Sequence, residues 1–423
     1  MFLHIDIDSF FISAERSIDP TLKGIPACVG SRSNLEIFSK KRVGIHLIND
    51  NSGAFVTPVF YSNKKKNFRS QFIDIIDGKE KIRGIVTTAS YEARACGVKT
   101  GMPLSQALSL CPKLIIVPSN YPLYHRLSYK IHHFLQERIP RIEQFSIDEF
   151  FADVSGWVEE GREEEFAKEI QRELLHHFDI PVSIGIAKSK WIAKLATEDA
   201  KPYGIFKVDD IFTYIEDKPI EEFPGIGKGF AKKLHQHYIR TLGELRKNKP
   251  LLYGWKKPGQ QLYKRVTGTD NETITQKPKR KSIGISRTFD PIYDKTELQR
   301  RVMVMARHIA HIASQIEVNP TLYYLKINYE YSIKVKTTKR VDRVFSELLL
   351  KEELSKMFYE IDKPDLGAIK LSVSISDFAS QNHRTLSMLT LNEDREKHRI
   401  DQAFKKIRNY YGLDAIKTGG EFG

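Results

Sequence analysis

Asp148 and Glu149 stand side by side in Ser146-Ile147-Asp148-Glu149-Phe150-Phe151, with apolar residues on either side. Consecutive residues of a regular strand point to opposite faces, whereas at a tight turn two adjacent carboxylates can project together. Such a pair makes a hard-oxygen site suited to magnesium; the plainer reading is a charged hairpin tip. A second acidic stretch opens the chain. Met1 to Asp8 alternates apolar and polar residues as a half-buried strand does, then gives way to helical spacing through Arg16. An aspartate such as Asp6 inside an apolar strand is costly unless it is paired or holds a cation.

Two further stretches run from strand into helix, and the first has the composition of a phosphate site. Gly84 to Ala89 reads as a strand running into a helix at Ser90-Tyr91-Glu92-Ala93-Arg94. Serine at the N-cap leaves free backbone amides nearby, and Arg94 lies about one turn beyond, within reach of an anion held there. Pro181 to Ala187 is a short buried strand leading into a helix from Ser189, which Lys201-Pro202-Tyr203-Gly204 brings to a stop. A lysine at that end is otherwise an ordinary partner for the helix dipole. Between these elements the spacing predicts a helix over Tyr121–Glu137, with Leu123, Leu127, Ile131 and Leu135 inward, and an acidic helix between Glu159 and Phe178.

The 423 residues exceed one ordinary core and imply two to four domains. No apolar run approaches the roughly 20 residues of a membrane span. The first strand carries two aspartates and does not read as a secretory signal. Cys28, Cys96 and Cys111 show no paired or metal-type spacing, as expected of thiols in a reducing cytosol. The net charge of +14 is concentrated: Lys228 to Arg287 holds 16 Lys and Arg against three acids, a surplus of 13. A surplus so localised favours a polyanion, nucleic acid above all, over a merely solvated face. Within it, Pro224-Gly225-Ile226-Gly227-Lys228 followed by Ala231 to Tyr238 reads as a helix-hairpin-helix, with Lys228, Lys232 and Lys233 facing a phosphate; an αα-corner with glycine turns is the alternative.

Beyond an extended basic linker at 276–281, the pattern predicts a strand over 282–289 and a helix over Glu297–Ile316. Tyr323, Leu325, Ile327, Tyr329 and Tyr331 alternate on one face of a strand, as do Ile369, Leu371, Val373 and Ile375. A polar outer face implies a sheet covered on one side only. An amphipathic helix from about Glu396 to Tyr411 closes the chain.

Motif for motif, these stretches resemble the Y-family translesion DNA polymerases of the DNA polymerase IV type, and the likeness runs over nearly the whole chain. It implies an α+β right-hand polymerase fold: a ferredoxin-like palm (1–17 and 120–208), small fingers (18–119), a helix-hairpin-helix thumb (209–275), a βαββαβ little finger (282–380) and a tail (381–423). It places two magnesium ions on Asp6, Asp148 and Glu149 with the carbonyl of Ile7, and the incoming deoxynucleotide among Phe10, Phe11, Thr88, Tyr91, Arg94 and Lys201. Phe10 reads by itself as a core aromatic; Phe11 falls at the family's steric gate. Gly225, Gly227, Lys228, Lys232, Lys281 and Arg287 are assigned to primer-template DNA, gripped through its backbone rather than read by base. Thr385 to Leu389 stands where relatives carry a sliding-clamp peptide, but lacks the usual glutamine and paired aromatics; a packing segment is the competing reading. The resemblance further implies a monomer in the bacterial cytoplasm, at the nucleoid. The main departure is an insert of about fifty residues at 31–81, containing Lys40-Lys41-Arg42 and Lys64-Lys65-Lys66 around two strand-like runs, Gly44–Ile48 and Ala54–Tyr61. A solvated hairpin is its default reading, and a contact to template or partner the sharper one. Two other classes remain: a catalytically silent DNA-binding accessory protein, and a nucleotidyl cyclase on the same palm.

Overall fold

The computed structural model describes residues 1–39, 45–48, 59–62, 67–76, 78–275, 280–379 and 387–422. They form two compact units. The first takes Met1–Ser31 and Phe72–Pro278; the second takes Lys279–Gly423 together with the described residues of Arg32–Asp50 and Thr57–Gln71.

The first unit is built on a five-stranded sheet. Phe2–Ile7 lies at its centre, antiparallel to Glu149–Asp153 on one side and to Val182–Ala187 on the other. Ile142–Gln144 and Ile205–Lys207 complete the two edges. Leu3, Ile5 and Ile7 point to one face, where Leu123, Ile131 and Leu135 of the helix Tyr121–Arg138 meet Ile170 and Leu174 of the helix Glu163–Phe178. Each such buried aliphatic contributes about 1.5–3 kcal/mol. The opposite face, bearing His4 and Asp6, is covered by the helix Lys190–Ala200. That helix sits directly on the strand backbone: a Cβ at Gly185 would lie 2.1 Å from the carbonyl oxygen of Ala193. Only glycine allows this approach. The acidic helix starts at Glu163 rather than Glu159, because Gly161 turns the chain with φ of 93° and Glu163, Glu164 and Glu165 then occupy the first turn, where the helix dipole favours them.

A second, three-stranded sheet sets Ala27–Ser31 between Ile85–Ala89, antiparallel, and Ile115–Pro118, parallel. In the glycine-rich stretch, Ile220–Glu222 is a single 3-10 turn rather than a helix, followed by the helices Lys228–Gln236 and Leu242–Lys247. Gly225 has φ of 103°, a conformation that side chains resist.

The second unit is a four-stranded antiparallel sheet in the order Ser282–Ile292, Ala368–Ala379, Asn319–Tyr329, Lys334–Arg340. The helices Lys295–Gln315 and Glu347–Ile361 cover one face, and Tyr323, Leu325, Ile327, Tyr329, Leu371, Val373 and Ile375 fill the core between. Two expectations fail locally. Tyr331 does not continue the inward row: with Ser332 it forms the hairpin turn, both at positive φ, and is exposed. Ile369 falls at an irregularity between Asn328 and Tyr329, where Ala368 takes the inward place instead. The helix Leu391–Tyr411 and the residues after it are held by buried ion pairs: Arg307 with Asp414 and Glu421, Lys351 with Glu347 and Glu421, Arg408 with Glu347.

The insert is a hairpin only in part. Ile45–Ile48 pairs antiparallel with Val59–Ser62, whereas the 3-10 turn Glu36–Phe38 places Ile37 and Phe38 in the core of the second unit. Lys40-Lys41-Arg42, Lys64-Lys65-Lys66 and most of the Ala54–Tyr61 run lie outside the described residues, as do 276–279 of the linker.

Candidate active site

Acids and lysines face each other across the sheet. Asp6 pairs in register with Glu149, and the amide of Ile7 donates to the carbonyl of Asp148 at 3.0 Å, so all three carboxylates emerge at one end of two neighbouring strands. The turn before Glu149 lets Asp148 and Glu149 share that end. Above them the Lys190–Ala200 helix and its C-cap supply Lys190, Lys194 and Lys201. Lys190 Nζ lies 2.7 Å from Glu143, Lys194 Nζ 2.5 Å from Glu149, and Lys201 Nζ 3.3 Å from Asp6 and 2.7 Å from Glu198. Ser146 donates its hydroxyl to Asp148. Sequence reasoning missed Lys190, Lys194 and Glu143; the signal was two lysines four residues apart on an otherwise apolar helix.

Burial pushes the Asp6 carboxyl up to about 8; Lys201 opposes the shift, while Asp148 and Glu149 add to it. Burial likewise raises Asp148, against the hydrogen bond from Ser146 and with the repulsion of Glu149. Burial works against the Lys201 ammonium, but Asp6 and Glu198 hold its pKa above the usual lysine value. Buried carboxylates that repel one another are a donor set that a divalent cation satisfies, and all their donors are hard oxygens. Among the described residues, however, no three His, Cys, Asp or Glu side chains are already grouped as ligands. Ser146, Lys194 and Lys201 engage the three carboxylates individually instead. The donor chemistry therefore fits magnesium, with Lys194 and Lys201 supplying positive charge in the geometry described.

Beside the acids lies a second hub, Asp8, which is 1% exposed. Its carboxylate accepts from the Tyr91 hydroxyl at 3.0 Å, from Ser183 Oγ at 2.9 and 3.0 Å, and from the Tyr203 amide at 2.8 Å. One side chain thus joins the helix carrying Tyr91 to the loop that follows Lys201. Sequence reasoning passed over it, although its period-2 spacing from Asp6 marks a second polar group on the same face. Ser90 caps the Tyr91–Ala95 helix by accepting from the Ala93 amide, and Arg94 lies 5.0 Å from the Tyr91 ring with its Nε on the carbonyl of Ala89. Thr88 is half-buried on the adjoining strand. Ser9, with φ of 47°, turns the chain from strand into the Phe10–Ile18 helix. Phe10 is buried, and its ring packs behind Phe11, which stacks on Tyr124 at 4.4 Å and meets Tyr121 edge-on. Phe10 therefore backs Phe11 rather than facing a ligand.

Gly225, Gly227, Lys228 and Lys232 are all exposed at the glycine turn, and Lys281 is exposed at the start of the second unit. Arg287 is more confined than its assignment implies: Nε donates to the carbonyl of Asn34 and Nη1 to that of Ser286, and burial brings its pKa down to about 10. Arg287 lies in register with the core residue Leu371, whereas on the outer face of the sheet Ser286, Tyr324, Ser372 and Ser374 line a shallow cleft of about 310 Å³.

Residues 50–198 match the impB/mucB/samB family, and residues 280–388 match the C-terminal domain of that family. The chain is 27% identical over 399 residues to DNA polymerase IV of Lactococcus lactis subsp. cremoris strain SK11, across 91% of this chain and 96% of that protein. It is 29% identical over 434 residues to DNA polymerase IV 1 of Bacillus subtilis strain 168, across 98% and 92%. Among solved structures, a Y-family DNA polymerase chimera of Dbh and Dpo4 is similar with a TM-score of 0.69 at 23% identity, over 89% of this chain and 98% of that one.

A cation at Asp6 would compete with a proton, which gives a pH test. Its carboxyl loses its proton near pH 8 when folded and near about pH 4 when unfolded. Between these values the folded chain holds more protons, so the stability of the metal-free protein falls as pH rises. A magnesium ion held by Asp6 would bind the ionised form. It is expected to raise the melting temperature by about 2–5 °C near pH 8 and by less near pH 6. An equal shift at both, or one that persists in Asp6→Ala, removes the assignment.

Proposed function

This chain belongs to the impB/mucB/samB family of Y-family polymerases, and we propose that it extends a primer on a DNA template past damage, at low fidelity. It has the right-hand polymerase fold and is a DNA-directed DNA polymerase. In this reading the five-stranded unit is the palm, the Ala27–Ser31 sheet with its helices the fingers, the glycine-turn helices the thumb, and the second unit the little finger. The observation that carries the reading is the convergence of Asp6, Asp148 and Glu149 at one end of two central strands, with Lys201, Tyr91 and Asp8 beside them.

The family depends on divalent metal. Asp6, Asp148, Glu149 and the Ile7 carbonyl would hold two magnesium ions, which supply Lewis acidity to the primer hydroxyl and to the leaving pyrophosphate. The rest of the work falls to the chain itself. Tyr91, Arg94 and Lys201 position the triphosphate and offset its charge. Asp8 positions Tyr91 and the loop after Lys201 together, so the two sides of the triphosphate site keep a fixed separation. Lys194 neutralises Glu149 until the substrate complex forms. Phe11, braced by Tyr124 and Phe10, is set to exclude a ribose 2′-hydroxyl.

DNA is held mainly through its backbone. The exposed amides around Gly225 and Gly227, with Lys228 and Lys232, suit phosphate contacts, as do Lys281 and the small hydroxyls of Ser372 and Ser374 on the outer sheet face. Arg287, engaged with the carbonyls of Asn34 and Ser286, is the weakest of the assigned DNA contacts. For the sliding clamp, Thr385 and Leu386 lie outside the described residues, while Met388 and Leu389 are almost fully exposed, which supports a docking segment over a packed one. A monomer in the bacterial cytoplasm, at the nucleoid, completes the reading. Among the described residues no helix is long and apolar enough to cross a membrane. No observation favours the silent accessory protein.

Primer extension on undamaged and abasic templates tests the proposal. The protein is expected to give short products, reduced about a thousandfold or more in Asp148→Ala and Glu149→Ala; binding of primer-template without addition would overturn it. Phe11→Ala is expected to raise ribonucleotide incorporation by at least about tenfold, and unchanged sugar discrimination would remove the gate. Clamp capture should weaken in Leu386→Ala and Leu389→Ala, and capture that both variants leave intact would sink that contact.

A further inference from the structure

The insert's first residues are built into the little finger. Ser31 is the last residue of the fingers strand Ala27–Ser31, and Arg32 already belongs to the second unit. Within that unit Ile37 and Phe38 are 3% and 4% exposed, in the same core as Phe289, Val302 and Met305. Phe38 is fixed from several sides. Arg300, itself 5% exposed, donates Nη2 to the Phe38 carbonyl at 2.8 Å. The Arg301 guanidinium lies 4.7 Å from the Phe38 ring and 4.7 Å from the Phe289 ring. Arg287 Nε donates to the Asn34 carbonyl at 3.0 Å.

The sheet itself is shaped to receive the segment. Pairing between Ser282–Ile292 and Ala368–Ala379 is irregular between Thr288 and Ile292, and the Thr288 amide donates to Ser33 Oγ at 3.2 Å. The insert thus caps a backbone group at the point where the ladder breaks. A solvated hairpin would need none of these contacts. The return crossing is equally abrupt: Gln71 belongs to the second unit and Phe72, fully buried, to the first.

We propose that Ser33–Phe38 is an intramolecular anchor, docked in the little-finger core, that ties this domain to the fingers independently of the 276–281 linker. The little finger is then joined to the rest of the chain through two separate stretches of sequence rather than one. The second attachment acts at the high effective concentration of an intramolecular contact, of order millimolar for a short connection. This inference concerns the insert and stands whether or not the polymerase reading does.

The test cuts the linker. A site-specific protease site placed within 276–281 of the full chain is cleaved in the native protein, and the fragments are run by size exclusion. The C-terminal fragment is expected to remain with the N-terminal one, and Phe38→Ala to weaken the pair by about a hundredfold in dissociation constant. Fragments that separate without any substitution, or that stay as tight with Phe38→Ala, overturn the proposal. Hydrogen exchange on the intact, unsubstituted protein covers the case in which the variant misfolds. The Phe38 and Ser39 amides, bonded to the Leu35 and Glu36 carbonyls, should exchange slowly, as the Lys295–Gln315 helix does. Exchange as fast as in the exposed turn at 388–390 would rule the anchor out.

Discussion

Three acids on one sheet face and three lysines on the helix above it set the terms for the first unit. The Lys190–Glu143 pair is almost fully enclosed, and breaking a buried pair of that kind costs about 3–5 kcal/mol. The helix Lys190–Ala200 must therefore lie where its lysines meet Glu143, Glu149 and Asp6, and Gly185 gives it the room to do so. His4 sits beneath the same helix, against Thr197, and its burial, with Lys194 nearby, keeps its imidazole neutral at physiological pH. The sheet, the helix and the charge arrangement are one structural solution rather than three.

This arrangement also separates two uses of buried charge. At Glu143 the lysine partner is almost fully enclosed, and the same carboxylate accepts from the Thr275 amide, which fastens the end of the thumb segment to the palm. Glu272 ties the Lys190–Ala200 helix to the Lys256–Val266 helix, accepting from the Trp191 indole and from both arms of the Arg265 fork, though this pair is more open to solvent. At Asp6 and Glu149 the lysines are more accessible than Lys190, at 21% and 19%. The enclosed Lys190–Glu143 pair positions the frame, and the more accessible ones lie at the end of the strands where the three acids meet.

The elements of the fold were legible wherever pattern and period agree. The alternation in Phe2–Ile7 and Asn319–Tyr329, and the helical spacing of Tyr121–Arg138, lead straight to the observed elements. What stayed hidden depends on partners distant in sequence. The spacing of Asp8 from Asp6 places it on the same face, but its role emerges only when Tyr91, Ser183 and Tyr203 are brought to it. Nothing in Glu36-Ile37-Phe38 says that its core lies beyond residue 280. Tyr331 satisfied the period and failed on turn chemistry, since the hairpin needed two residues at positive φ there. The acids at 148 and 149 were readable because a turn is the one backbone form that lets adjacent carboxylates act together. Of the lysines that balance them, Lys201 was named through the resemblance, whereas Lys190 and Lys194 were passed over, because their spacing alone does not say which acids they meet.

The order in which this chain is synthesised differs from the order in which its cores close. Phe38 leaves the ribosome 262 residues before Arg300, which holds its carbonyl. At about 5–20 residues per second, that is a delay of roughly 13–50 s. Throughout that time Ile37 and Phe38 have no core to enter, while the palm strand ahead of them waits for its own neighbours near residue 150. A nascent chain with its apolar anchor exposed for so long is a client for chaperones, and the little finger, though encoded last, completes the folding of a segment encoded among the first.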